Sequence, residues 1–236
     1  IELKPNEINL DGIVLTDPAT GNPIYLVGGI QHEAFKNMFF GLTVSTLKPN
    51  TRGPEFNKPV LLLNTGFNDN NQFYGRVKGT GSFSLSGFQS DLYMKIDAIA
   101  STTDSSIVTI PSSNSRESGI ADFLIEREYG REMVDSAILS DGSNVLYDVD
   151  VTANPMVTVR VVLDDLTGDE IKGRGSGSLN IRSGTNEKLA MCGRFDIEEG
   201  DYLFTFQSFF KKPFVIRSGT ENYITWSGDP YAAKIN

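Results

Sequence analysis

The fold is decided by the stretch GRFDIEEGDYLFTFQ, residues 193–207. Apolar and polar residues alternate in both halves of this stretch, and the tetrapeptide Glu198-Glu199-Gly200-Asp201 between them is typical of a turn. Alternation of this period places one row of side chains on each face of a sheet. Two more strand-length runs follow at residues 212–216 and 223–226, separated by turn-forming residues. The pattern predicts antiparallel strands that share one apolar face.

The same alternation extends back through the chain, where it is organised in repeats. Strand–turn–strand units occupy residues 13–28, 61–77 and 161–173, and the first and last turns contain Thr-Gly-Asn and Thr-Gly-Asp. Glycine at this place allows the positive φ that a hairpin loop requires. Segments 79–85 and 173–179 also match each other at five of seven positions. The glycine row of the later segment, Gly173, Gly175 and Gly177, indicates either room for a second layer or a sharp bend in the sheet.

Four segments follow one another in a fixed order near the end of the chain: Phe195-Asp196-Ile197, Gly200-Asp201-Tyr202-Leu203-Phe204, Lys212-Pro213-Phe214-Val215-Ile216 and Ile224-Thr225-Trp226-Ser227-Gly228-Asp229-Pro230-Tyr231. Together they resemble the C-terminal region of the TamB family, the translocation and assembly module subunit of Gram-negative envelopes. The resemblance is strong over residues 160–236, and over residues 1–110 it is limited to the spacing of the strands.

The resemblance implies a folded-over β-sheet with a hydrophobic groove, in a periplasmic protein that is anchored in the inner membrane. It implies an outer-membrane β-barrel partner of the TamA or BamA type. The family is linked to the insertion of outer-membrane proteins and to the movement of phospholipids between membranes. The implied client is therefore either a phospholipid or the strands of a nascent outer-membrane protein, and the sequence does not distinguish the two.

Composition is compatible with a single repetitive β domain over residues 1–236, because all-β domains of about 200–250 residues are common. The net charge of −9 argues against nucleic acid and against anionic lipid head groups as partners. The chain starts at Ile1 and stops within a strand pattern, so we expect a fragment of a longer envelope protein. Residues 111–141 form a polar insertion in which 120–129 predict either a short helix or an extended arm.

Residue types that carry catalysis are sparse, and we expect neither an enzyme nor a bound cofactor or metal. His32 is the only histidine and lies in a polar stretch, which predicts a surface position. Cys192 is the only cysteine, is in phase with Arg194 and Asp196, and is expected on the polar face. The acidic residues lie mostly in turns or on polar faces, where turn chemistry explains them better than a glycosidase or calcium site.

An apolar face remains as the candidate functional site. The sequence predicts an all-β, elongated and mostly antiparallel sheet, curved or folded over around an apolar interior groove. The alternative is a closed β-sandwich, as in a structural, adhesive or glycan-binding module, whose core the same residues would fill. The resemblance favours the groove. The residues expected to line it and to contact the client are Phe83, Leu85, Leu92, Met94, Ile96, Val157, Val159, Val161, Leu179, Ile181, Met191, Phe195, Ile197 and Phe204.

Overall fold

The computed structural model describes residues 1–69, 73–111, 127–128, 131–132, 144–164, 167–206, 210–217 and 221–236. Strands account for 71% of the chain, which confirms the all-β prediction. The two short 3-10 helices in the described ranges are Pro54–Phe56 and Pro230–Ala232.

Seventeen strands are present in the described ranges. Their bounds are β1 (Glu2–Lys4), β2 (Glu7–Asn9), β3 (Ile13–Thr16), β4 (Pro23–Glu33), β5 (Lys36–Ser45), β6 (Val60–Thr65), β7 (Tyr74–Phe88), β8 (Asp91–Ala100), β9 (Ser106–Ile110), β10 (Arg127–Glu128), β11 (Arg131–Glu132), β12 (Asn144–Asp164), β13 (Asp169–Gly184), β14 (Ala190–Phe206), β15 (Phe210–Val215), β16 (Tyr223–Gly228) and β17 (Lys234–Ile235). All of them belong to one sheet except β10 and β11, which pair with each other.

The large sheet runs in the order β1-β2-β4-β5-β7-β8-β12-β13-β14-β16-β17. Each remaining strand pairs with the same neighbour as one strand of this order, so the two lie end to end in one position of the sheet, which we call a lane. β3 follows β2 beside β4, β6 follows β5 beside β7, β9 follows β8 beside β12, and β15 shares the edge of β14 with β16. Pairing is antiparallel except where β12 lies parallel to β8 and β9. The predicted helix or arm at 120–129 lies outside the described residues except for 127–128, which pair with 131–132.

The hairpin predictions from the repeats are confirmed. β3 pairs with β4, β6 with β7, and β12 with β13, each across its expected turn. Gly21 and Gly168 have φ of 74° and 79°, which is the left-handed conformation that the Thr-Gly turns indicated.

The predicted turn at residues 198–201 is wrong, because β14 runs through it without a break. Gly175 pairs with Ile197 and Arg174 with Glu199, so one extra residue is accommodated at this point as a β-bulge. A single inserted residue shifts the alternation by one position. The bulge therefore keeps Phe204, an even-numbered residue, on the same face as Phe195 and Ile197.

Strand interruptions line up from β5 to β14 and form what we call the crease. It passes through the break between β5 and β6 at Thr46, whose N–H donates to Gly81, and through residues 101–105 between β8 and β9. It continues through residues 154–156 of β12, where three residues face Ser176 alone, and through the β14 bulge. Bulges bend strands and increase their twist, so aligned interruptions bend the whole sheet along one line.

The crease divides the sheet into two parts. The first arm contains β4, β5, β8, β16 and the adjoining halves of β7, β12, β13 and β14. The second arm contains β6, β9, β15 and the other halves of the long strands. Glycines 173, 175 and 177 of β13 lie at the crease, where a Cβ on Gly177 would overlap the carbonyl oxygen of Arg194 and lie 2.8 Å from the Cα of Phe195. The glycine row therefore permits a close approach of two backbones.

The packed core lies where the two arms meet, near β14 and β16. Met191, Phe195, Ile197, Ile224 and Trp226 form a buried cluster, which we call the β14–β16 cluster. Partly buried residues of both arms pack against it: Leu179 and Ile181 from the first arm, and Ile110, Val159 and Ile216 from the second. Ile110 belongs to β9, which is separated from β14 by β12 and β13. In a flat sheet three lanes span about 14 Å, so this contact requires the sheet to curve toward its apolar side.

Candidate functional site

The apolar face is built from side chains that occupy the same register position on successive strands. One row crosses eight strands from β3 to β14, with each member paired to the next. Its members are Ile13, Leu26, Val44, Phe83, Ile96, Val149, Ile181 and Met191. Cross-strand neighbours on one face have Cβ atoms about 5 Å apart, so these side chains form a continuous apolar track.

Parallel rows widen the track on both sides. Leu42, Leu85, Met94 and Tyr147 form a second row across β5, β7, β8 and β12. Leu92 lies beside Gly87 at one margin. On the second arm, the predicted residues Val157, Val159 and Val161 pair with Gly175, Gly173 and Ile171. The structure thus places the predicted site residues on one face.

Burial separates the fourteen predicted residues into two groups. Val157, Met191, Phe195 and Ile197 are buried, and the last three belong to the β14–β16 cluster. The other ten are only partly buried: Phe83, Leu85, Leu92, Met94, Ile96, Val159, Val161, Leu179, Ile181 and Phe204. Since half-covered apolar side chains retain much of their hydrophobic driving force, the part of the face on β4, β5, β7 and β8 has capacity left for further burial. We call this part the open section.

Sequence reasoning missed several members of the face. Ile224 and Trp226 are 3% and 6% exposed and are central to the buried cluster, and Ile110 and Ile216 contact it from the second arm. Ile224 and Trp226 alternate with polar residues in β16, so their period was a usable signal. Ile110 and Ile216 carried no such signal, because their contacts depend on how the sheet bends.

The opposite face of the sheet carries a cross-linked polar cluster on β8, β12 and β13. Lys95 on β8 forms ion pairs with Asp148, at 3.5 Å, and with Asp150 on β12. The amide of Asn180 on β13 donates to both carboxylates, at 2.6 and 2.8 Å. The hydrogen bond from the Lys95 ammonium, followed by that from Asn180, lowers the pKa of Asp150. Three strands are thus tied together on the face that points away from the apolar track.

His32 is not on the surface, and that prediction is wrong: the residue is 4% exposed. It lies at the β4–β5 hairpin, where its Nδ1 accepts the N–H of Phe35 at 3.2 Å and its ring stacks on the Phe35 ring. The residues between the two strands, Ala34 and Phe35, have positive φ, which brings the chain back over the histidine. The histidine is thus covered by its own hairpin loop, a contact that polarity alone does not indicate.

Other reactive groups are used within the fold or are exposed. Cys192 is a free, exposed thiol on the polar face, as its phase in the strand predicted. In the β12–β13 hairpin, Asp169 accepts the N–H of Thr205, and Glu170 forms an ion pair with Arg160. Among the residues that the structure describes, no group of three or more His, Cys, Asp or Glu side chains is placed to hold a metal ion. Nor do the described ranges contain a helix long and apolar enough to cross a membrane.

One large sheet, with a continuous apolar row on one face and a polar cluster on the other, defines an all-β protein. The chain belongs to the TamB family, since the model of the TamB C-terminal domain matches residues 12–236. This confirms the resemblance seen in the sequence and extends it over nearly the whole chain. Comparison with curated proteins and with solved structures gives no match.

Membership of the family carries its general role. TamB proteins are non-enzymatic components of the translocation and assembly module in the Gram-negative envelope. They act in outer-membrane assembly and lipid transport, and they do so with a TamA-like outer-membrane partner.

Proposed function

We propose that the apolar face shields the hydrophobic part of a client and lets it move across successive strands, while the full-length protein connects the inner and outer membranes. The observation that carries the proposal is the row of half-buried apolar side chains that crosses the strands in register from Ile13 to Ile181. A track perpendicular to the strands presents the same chemistry at every step. It therefore has no strongly preferred stopping point along the open section.

The client that fits this face best is the acyl part of a phospholipid. Acyl chains need only apolar burial, worth about 0.8 kcal/mol for each CH₂ removed from water. A client β-strand would bind chiefly through backbone hydrogen bonds to a free sheet edge. In the open section β5, β7 and β8 are each paired on both sides, so their backbone groups are already engaged. The strands of a nascent outer-membrane protein are the second candidate, to be distinguished by the test below.

Within this proposal the full-length protein is anchored in the inner membrane and reaches a TamA- or BamA-type barrel in the outer membrane. The polar cluster suits an aqueous compartment such as the periplasm, because its ion pairs and amide hydrogen bonds are satisfied in contact with water. The negative net charge fits recognition of acyl chains rather than of anionic head groups.

Two adjacent residues of β7 provide a matched test. Phe83 points to the apolar face and Ser84 to the polar face, since they pair with Ile96 and Lys95 respectively. We would compare Phe83→Glu with Ser84→Glu for binding of a fluorescent fatty acid, of a fluorescent phospholipid and of an unfolded outer-membrane protein peptide. We expect Phe83→Glu to lose binding of the acyl probes, with melting little changed, because the charge can reach water from a half-buried position.

The control variant should bind the acyl probes as the unmodified chain does. If Phe83→Glu loses binding of the peptide but not of the acyl probes, the client of this face is a protein strand and not an acyl chain. Unfolding of Phe83→Glu, together with no acyl or peptide binding by the unmodified chain, would instead support a closed sandwich, in which an unpaired buried charge costs several kcal/mol.

A further inference from the structure

We propose that the β14–β16 cluster is a seal that closes one end of the apolar face, so that a client entering along the open section is stopped before it reaches β14. The inference rests on the proposed function, which it deepens by assigning how far the path extends. The cluster thus divides the apolar face into an open section and a closed section on the same sheet.

Burial changes along rows of side chains that are otherwise continuous. In the long row the side chains of Phe83, Ile96 and Ile181 are partly buried, and the next member, Met191, is buried. In the neighbouring row Val151 and Leu179 are partly buried and lead through Gly193 to Trp226, which is 6% exposed. The side chains along both rows remain apolar, while their exposed fraction decreases toward β14 and β16.

The seal is formed because the two arms meet there. Phe195, Ile224 and Trp226 from the first arm share one cluster with contacts from Ile110, Val159 and Ile216 of the second arm. The β13 glycines at the crease have no side chains. Side chains of the two neighbouring strands, β12 and β14, can therefore meet above β13 on the apolar face. An acyl chain has no room at this place unless the two arms separate.

A hydrogen bond from Trp226 holds the seal in position. The indole Nε1 of Trp226 donates to the carbonyl oxygen of Pro230 at 3.2 Å, in the short 3-10 helix that follows β16. The chain then turns back so that Ala233 packs against the cluster and β17 pairs with β16. Trp226 thus connects the packing of the cluster to the turn that covers its margin, and its removal is the most direct way to loosen the seal.

Thiol accessibility tests the seal without any client. In a Cys192→Ser background we would place single cysteines by Ile96→Cys in the open section and Ile224→Cys in the cluster, and measure their rates of reaction with an apolar maleimide. We expect Ile224→Cys to react at least about tenfold more slowly than Ile96→Cys, because reaction then requires local opening. Addition of Trp226→Ala should raise the rate at Ile224→Cys and leave the rate at Ile96→Cys unchanged. Equal rates at the two positions in the parent background would overturn the seal.

A photoactivatable fatty acid then connects the seal to the client. We expect labelled peptides from β7 and β8 and none from β14 or β16, with labelling extended to β14 in the Trp226→Ala variant. Equal labelling of both sections in the unmodified chain would overturn the inference. If no peptide is labelled although Ile224→Cys remains protected, the seal stands as a feature of the fold and the proposed acyl client fails.

Discussion

The glycine row of β13 gives the sharpest test of how the sheet bends. A Cβ added at Gly177 would overlap the carbonyl oxygen of Arg194 and lie 2.8 Å from the Cα of Phe195, whereas ordinary contacts begin near 3.4 Å. The Gly177→Ala substitution must therefore push β14 away from β13 by more than about half an ångström, a form of overpacking that costs about 1–3 kcal/mol. Loss of one or two ladder hydrogen bonds adds about 1 kcal/mol each.

The chain offers a matched control in Gly41 on β5. A Cβ there would meet nothing closer than 3.9 Å, and Gly41 is not among the residues with positive φ. We expect Gly177→Ala to lower the free energy of unfolding by about 3 kcal/mol, which for a chain of this size lowers Tm by about 6–12 °C. Gly41→Ala should be neutral or slightly stabilising, because alanine restricts the unfolded chain. Urea denaturation and thermal melting would measure both, and equal stability of the two variants would refute the close approach of β13 and β14.

Three further predictions concern the two faces of the sheet. Phe195→Ala should lower the free energy of unfolding, measured by urea denaturation, by about 3–5 kcal/mol, as for other buried aromatic residues. Phe83→Ala should lower it clearly less, because Phe83 is partly exposed. Similar losses for the two variants would argue against an open section. Because the pKa of Asp150 is lowered in the folded state, its ionised form stabilises the fold above the unfolded value of 3.8, and this contribution is lost as the pH falls through the folded pKa. Asp150→Asn should accordingly be less stable than the unmodified chain at pH 7, by under about 1 kcal/mol for so exposed a pair. The difference should begin to shrink in melting curves recorded below pH 3.8 and should vanish once the pH is well below the folded pKa; a difference that persists there would rule out the ion pair as its cause. Cys192 is exposed, so one equivalent of maleimide should react with the native protein and leave Tm unchanged, and slow or partial labelling would contradict its placement on the polar face.

The sequence predicted those parts of the fold that depend on local pattern. Alternation in β8 placed Leu92, Met94 and Ile96 on one face, and the Thr-Gly turns predicted the hairpins at Gly21 and Gly168. Both signals are complete within about ten residues of chain, because side-chain direction in a strand and φ in a turn are local properties.

The parts that it did not predict depend on two or more strands at once. The β14 bulge exists only relative to β13, so Glu198 and Glu199 were interpreted as a turn although the strand continues through them. Contact between Ile110 and the β14–β16 cluster depends on the bend accumulated over three lanes. His32 is covered by a loop whose positive φ values fall on alanine and phenylalanine, residues that rarely signal such a conformation.

The most direct test of the central claim is site-specific photocrosslinking in the bacterial envelope. A photoreactive phenylalanine analogue would be placed at Phe83 on the apolar face and, as the control, at Ser84 on the polar face of the same strand, in the full-length protein. Mass spectrometry would then identify what is attached at each position. We expect phospholipid adducts at position 83 and none at position 84. Equal adducts at both positions, or none at position 83 in a protein that still supports outer-membrane assembly, would contradict it.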